Sequence, residues 1–277
     1  MINGSYKITG LIGSNINRSL SYLLHNHALK NLNIEGVYLP FVVSPQELYS
    51  FVQTLRTTSF VGANVTLPHK ENVLPFMDRL DRHASRIGAV NTIIAHQDGS
   101  LTGANSDGLG FLAALDQAAI QYTNRPVFII GAGGAARAIV DALSPHAQSI
   151  TIFNRTTARA HSLIAHCKPH FPQQHYTICT DPHVHPLTRD TLLVQCTPQG
   201  SNGKIRPPHP PLHPQMTVVD LIYRDTPLLC HARSLGAQVQ NGTAMLYHQA
   251  SLSFSWWFKT SPPANLMEQA LNIRKVS

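Results

Sequence analysis

The sequence predicts an α/β protein of two domains, each built on a mostly parallel sheet covered by helices. Short apolar runs of strand length alternate with helix-period segments, and parallel strands need such crossovers. The alternation occurs as two series separated by a polar turn, and 277 residues are more than one small core needs.

The first series contains YKITGLIG (6–13), GVYLPFVV (36–43) and FVGANVT (60–66), apolar runs bounded by polar or glycine-containing segments. SLSYLLHNHALKNL (19–32), between the first two, has helical spacing. GANSDGLGFLAALDQAAI (103–120) is a turn followed by an amphipathic segment that connects the two series. The second series runs through RPVFIIGAGGAARAIVDAL (125–143), SITIFNRT (149–156), TLLVQCT (191–197), TVVDLI (217–222) and GAQVQNG (236–242). Each of its strands ends in a glycine, polar or turn-forming cluster, as ligand-facing strand ends do in open α/β sheets. NGTAMLYHQASLSFSWWFKT (241–260) has helical periodicity and no new strand signal, so it is expected to pack back onto the first domain. The proline-rich and polar stretches 166–177 and 198–215 read as surface loops.

Composition narrows the function. The hydrophobic content of 43% with 13% charged residues is that of an ordinary folded protein. No apolar run reaches the roughly 20 residues that cross a bilayer, and the start lacks a secretory pattern, so a cytoplasmic protein without membrane contact is expected. Cys167, Cys179, Cys196 and Cys230 form no CxxC pair and read as reduced, core-packing thiols. The net charge of +7 comes from dispersed basic residues and few acids, which suits small anionic ligands better than nucleic acid. The 16 histidines lack ligand spacing, so no metal is expected.

VFIIGAGGAARAIV (127–140) places Gly131, Gly133 and Gly134 between a strand and a helix, where backbone N–H groups can approach a pyrophosphate. Ala136 stands at the third glycine position of GxGxxG and is still small enough for close helix packing. After the next strand, where an NAD-binding fold puts an acid, stand Asn154, Arg155, Thr156 and Arg159, and guanidinium groups there can pair with the 2′-phosphate of NADP. A solvated basic helix start is the bland alternative, weakened by the glycine turn beside it.

The first domain carries polar clusters at strand and helix ends: Ser19 and Ser21, Asn64 with Thr66 and Lys70, Asn91 in GAVNT, and Asp107 in GANSDG. Singly, each reads as a cap or turn residue. Together they are what a small polyhydroxylated carboxylic acid requires, because each buried polar group of a ligand needs a partner.

The series S-L-S with His-Asn four residues on, NVTxPHK, GAVNT, NxDG, GAGGAAR, NRTxxR, DxxY and ML-x-x-Q, in this order and over nearly the whole chain, resembles the shikimate dehydrogenases. The resemblance implies a substrate-binding domain at 1–106, completed by helices in 243–277, facing an NADP-binding Rossmann-like domain at 107–242 across a cleft. It implies reversible reduction of 3-dehydroshikimate to shikimate with NADPH, towards the aromatic amino acids, by a monomer or homodimer. Ser19, Ser21 and Tyr223 are then expected around the substrate carboxylate, and Asn64, Thr66, Lys70, Asn91, Asp107 and Gln249 around the ring oxygens, with Lys70 and Asp107 as the catalytic pair. Gly131, Ala132, Gly133, Gly134, Ala135, Asn154, Arg155, Thr156, Arg159, Cys196, Thr197, Leu221 and Gly242 fall to the cofactor. The chain departs from the family pattern at Arg18, Tyr22, Ser106, Gln195, Cys196, Thr243 and Ala244, and in a shorter stretch after Tyr223.

Overall fold

The computed structural model describes residues 6–14, 16–17, 19–202 and 208–273; Arg18 lies outside them. The described chain divides into two compact units: residues up to Gly110 with those from Tyr247 onwards, and Phe111–Leu246.

The first unit contains β1 (Lys7–Gly13), α1 (Ser21–Asn31), β2 (Gly36–Val42), α2 (Leu48–Thr57), β3 (Phe60–Val65), α3 (His69–Asn72), β4 (Arg79–Leu80), α4 (Arg82–Ile87), β5 (Thr92–Ala95), β6 (Leu101–Ala104) and the start of α5 (Asp107–Gln117). Its sheet has the order β2-β1-β3-β5-β6-β4. β1 pairs in parallel with β2 and β3, whereas β5 runs antiparallel to both β3 and β6. Ile12, Ala63, Val65 and Ile93 pack from this sheet against Leu48, Val52 and Leu55 of α2. α4 has a side-chain cap at one end, where Asp81 accepts from the Ala84 N–H at 2.6 Å, and left-handed Gly88 at the other.

The second unit contains β7 (Pro126–Ile130), α6 (Gly134–Leu143), β8 (Ser149–Phe153), α7 (Thr157–Cys167), β9 (Tyr176–Cys179), β10 (Leu192–Gln195), β11 (Thr217–Asp220), α8 (Pro227–Ser234), β12 (Gln238–Asn241) and the start of α9 (Thr243–Phe258). Its six strands are ordered β12-β11-β10-β7-β8-β9 and all pair in parallel. Alternate residues serve opposite faces: Val127 and Ile129 join one apolar cluster, Phe128 and Ile130 the other. A sheet buried on both faces needs continuously apolar strands, which is why VFII and TLLV carry no polar alternation. The chain order reverses between β7 and β10, the switch point at which open α/β sheets bind ligands.

α9 continues from the second unit into the first, followed by α10 (Ala264–Ile273). Trp257 of α9 donates its indole N–H to the Ile93 carbonyl at 2.9 Å, fixing the helix to β5. The units divide about four residues later than the motif boundaries at 106 and 242, because α5 and α9 run unbroken through both crossings and the first turn of α5 bonds within the first unit.

Two expectations are corrected. The stretch 166–177 is not all loop: α7 extends to Cys167, and Tyr176 and Thr177 begin β9, whose pairing with β8 supplies the ladder that local sequence lacks. Cys230 is exposed on α8 rather than packed in a core. Strands β4, β5 and β6 carry no strong strand pattern and are held by their neighbours in the sheet. Among the described residues no helix is long and apolar enough to cross a membrane, and no metal-ligating cluster occurs.

Candidate active site

The end of β3 builds the centre of the first unit's site. Beyond Val65 the chain turns through a cis Leu67–Pro68 bond, with the Thr66 N–H donating to the Ile12 carbonyl and the His69 N–H to the Thr66 carbonyl. His69 is fully buried, and its Nε2 lies 2.7 Å from the Val43 carbonyl, which ties the turn to the end of β2. Lys70, the next residue, is thereby directed to Asp107, the first residue of α5: Nζ stands 2.5 Å from Oδ2. Their side chains are only 15% and 7% exposed, so the charges are largely removed from water.

Asn91 holds the other carboxylate oxygen, donating from Nδ2 to Asp107 Oδ1 at 2.8 Å and to Ser106 Oγ at 2.9 Å. Its Oδ1 accepts from the Ser106 N–H and the Thr92 hydroxyl, each at 2.9 Å. Gln249 of α9 reaches the same group, its Oε1 lying 3.4 Å from Asn91 Nδ2. Asn64 is joined to this network: its Nδ2 faces the Asn91 carbonyl, Thr92 Oγ1 and Ser253 Oγ at 3.1–3.2 Å, and its Oδ1 accepts from the Tyr38 hydroxyl at 2.9 Å. Ser19 and Ser21 are neighbours, their hydroxyls 3.2 Å apart, and Ser19 Oγ also accepts from the Ser21 N–H at the start of α1. Thr66 is half-buried beside the same turn.

Sequence reasoning gave no role to Tyr38, Ser253 or Thr92, which bind the polar network from behind; the first two stand in no motif, and Thr92 closes GAVNT. It also gave no role to His25, a fully buried imidazole stacked on Tyr38 at 4.3 Å between ring centroids. Burial lowers its pKa to about 3, and the Asn64 side chain opposes that shift.

In the second unit the register aligns Phe153, Ile130, Gln195, Asp220 and Asn241 in one row across five strands. The next residue on each strand is Asn154, Gly131, Cys196, Leu221 or Gly242, so five residues expected at the cofactor lie along one sheet edge. Gly131 has φ +119°, a left-handed conformation that favours glycine, and a Cβ there would press on the Thr197 methyl at 3.0 Å. Gly242 is constrained by proximity, since a Cβ would collide with the Leu221 carbonyl. Gly133 caps α6 without a side-chain hydrogen bond, and a Cβ built there meets nothing within 4 Å. Together with Ala132, Gly134 and Ala135 this is an open turn at a helix N-terminus, whose free amides suit a pyrophosphate. The residues present therefore fit a dinucleotide.

Arg155 and Arg159 are both exposed at the start of α7, and Asn154 Nδ2 donates to the Thr156 carbonyl at 2.8 Å, shaping that turn. Tyr223, expected near the substrate carboxylate, stands in the second unit and is 44% exposed on the turn after β11. Asp220, fully buried, accepts from the Thr226 hydroxyl at 2.7 Å and the Ile222 N–H at 3.1 Å, yet desolvation still pushes its carboxyl up to about 6.

Residues 11–93 match the family described as the shikimate dehydrogenase substrate binding domain, and residues 113–179 the shikimate / quinate 5-dehydrogenase family. The shikimate dehydrogenase (NADP(+)) of Geobacillus kaustophilus is 37% identical, covering 95% of this chain and 96% of that protein. The chain belongs to the shikimate dehydrogenase family. A shikimate dehydrogenase crystallised in complex with NADP+ is similar at TM-score 0.90 and 32% identity, covering 100% of this chain and 98% of that one. The shikimate 5-dehydrogenase of Thermus thermophilus, in complex with NADP(H) and shikimate, reaches TM-score 0.83 at 32% identity, covering 96% of this chain and 98% of its own. For a shikimate dehydrogenase family member, the row of strand ends in the second unit and the Lys70–Asp107 pair in the first are the two places where chemistry can be argued from residues.

Proposed function

We propose that the chain is an NADP-dependent oxidoreductase acting on a CH–OH group, reversibly reducing 3-dehydroshikimate to shikimate in the shikimate pathway, as its relatives' names describe. The observation that carries this reading is the buried ion pair of Lys70 and Asp107, braced by Asn91, in a chain whose other unit presents an open glycine turn.

NADPH supplies the hydride when bound. As the ketone oxygen gains negative charge, the Lys70 ammonium stabilises it and the Lys70–Asp107 pair provides the proton. Asp107 orients Lys70, and Asn91 fixes the Asp107 carboxylate. Ser19 and Ser21 take the substrate carboxylate, while Thr66 and Gln249 take ring hydroxyls. Asn64 and Asn91, bonded to one another, also face the ring oxygens. The turn Gly131–Ala135 binds the pyrophosphate, Asn154, Arg155, Thr156 and Arg159 the 2′-phosphate end, and Cys196, Thr197, Leu221 and Gly242 the nicotinamide end. The working location is the cytoplasm.

Shikimate oxidation by the purified protein tests the reading, with quinate and NAD assayed in parallel. Turnover of shikimate with NADP is expected to dominate. Faster quinate turnover with NAD would overturn the assignment of both substrate and cofactor.

A further inference from the structure

Gln195 ends β10 at the switch point and is fully buried, an unusual place for a long polar side chain unless every polar atom has a partner. Here each has one. Its Nε2 lies 2.9 Å from both the Gln199 carbonyl and Thr197 Oγ1, and 3.2 Å from the Thr197 carbonyl. Its Oε1 accepts from the Thr197 N–H at 3.0 Å and lies 3.1 Å from the Thr197 hydroxyl. The side chain thus substitutes for a backbone ladder and folds residues 196–199 into a fixed loop.

Two further contacts link this loop to its surroundings. The Gln195 carbonyl accepts from the Leu221 N–H at 3.0 Å, and the Cys196 N–H donates to the Ile130 carbonyl at 2.8 Å. The Thr197 methyl stands where a Cβ on Gly131 would meet it at 3.0 Å. The loop that the Gln195 side chain orders therefore lies against the glycine turn after β7, while main-chain bonds tie its root to Ile130 and Leu221.

We infer that Gln195 is a positioning residue for the cofactor, holding Thr197 against the Gly131 turn so that the nicotinamide end meets a preformed edge. The inference rests on the cofactor assignment made above. Its role is exerted through Thr197 and Gln199, the partners of its side chain, without contact of its own to the reacting atoms. Removing its side-chain bonds releases a loop whose ordering must then be supplied on binding, which weakens the cofactor and leaves the first unit's substrate groups untouched.

The test is NADPH fluorescence titration without substrate, together with KM values for NADP and shikimate and thermal midpoints. Gln195→Leu keeps the approximate volume and removes the polar atoms. It is expected to raise the NADPH Kd and the NADP KM by roughly tenfold, with the shikimate KM within about twofold. Gln195→Asn can still bond Thr197 but not Gln199 and is expected to recover most of the affinity. Thr197→Val, which removes the hydroxyl that Gln195 holds, gives the same direction should the leucine variant fail to fold. A leucine variant with wild-type NADPH affinity overturns the inference, as does an equal rise in both KM values. Wild-type protein that binds NADPH but does not oxidise shikimate would refute the proposed reaction while the Kd comparison still judges Gln195; wild-type protein that binds no NADPH would refute both.

Discussion

Lys70 and Asp107, 37 positions apart in sequence, meet at 2.5 Å because one follows the β3 turn and the other opens α5. Asn91 holds the carboxylate oxygen that Lys70 leaves free, at 2.8 Å. A largely desolvated pair of this kind is costly to break, because loss of one partner strands the other's charge in the interior.

Lys70→Ala is therefore expected to lower turnover by about two to four orders of magnitude, the range for a positioned proton-transfer group. NADPH binding, read by fluorescence titration, is expected to survive because its residues lie in the other unit. Turnover close to wild type would remove Lys70 from the mechanism.

Arg155→Ala addresses cofactor choice. On the proposed assignment the Arg155 guanidinium pairs with a phosphate that only NADPH carries, so the variant is expected to lose roughly tenfold or more in NADPH affinity and little in NADH affinity. Parallel losses for both cofactors would mean that the arginine shapes the turn and does not read the phosphate.

Two buried groups give opposite pH dependences. Asp220 has its folded pKa raised to about 6, so the folded state binds more protons than the unfolded one between the ordinary carboxylate range and about 6, and stability falls as pH rises through that window. His25, lowered to about 3, has the reverse sign: the unfolded state binds the extra proton, and stability falls as pH drops below the ordinary histidine range. Asp220→Asn removes the first contribution, on the order of 3 kcal/mol for a shift of this size. Its thermal midpoint relative to wild type is expected to climb between about pH 4 and pH 6 and then level off. A constant offset across that range would show that Asp220 is not carrying the charge cost assigned to it.

The sequence by itself determined the parts whose signal is local. Continuous apolar runs such as VFII identify strands buried on both faces, the glycine turn at 131–134 follows from what a strand-to-helix connection near a pyrophosphate permits, and the order of the motifs pointed to the family. Tertiary structure alone decided how polar groups share their hydrogens. Asn64 is one residue of NVTLPHK in sequence, and only the fold supplies its partners Tyr38, Thr92 and Ser253, the last from a helix 189 positions away. His25 and Asp220 are ordinary side chains in sequence, and burial, partly opposed by hydrogen bonds, shifts their acidity in the fold. Gln195 looked like a departure from the family pattern; in the fold its buried side chain bonds Thr197 and Gln199 and orders the loop after β10. The physical reason is the same in each case: strand and turn preferences act over a few bonds, whereas desolvation and hydrogen-bond competition depend on what the folded chain brings within about 3 Å.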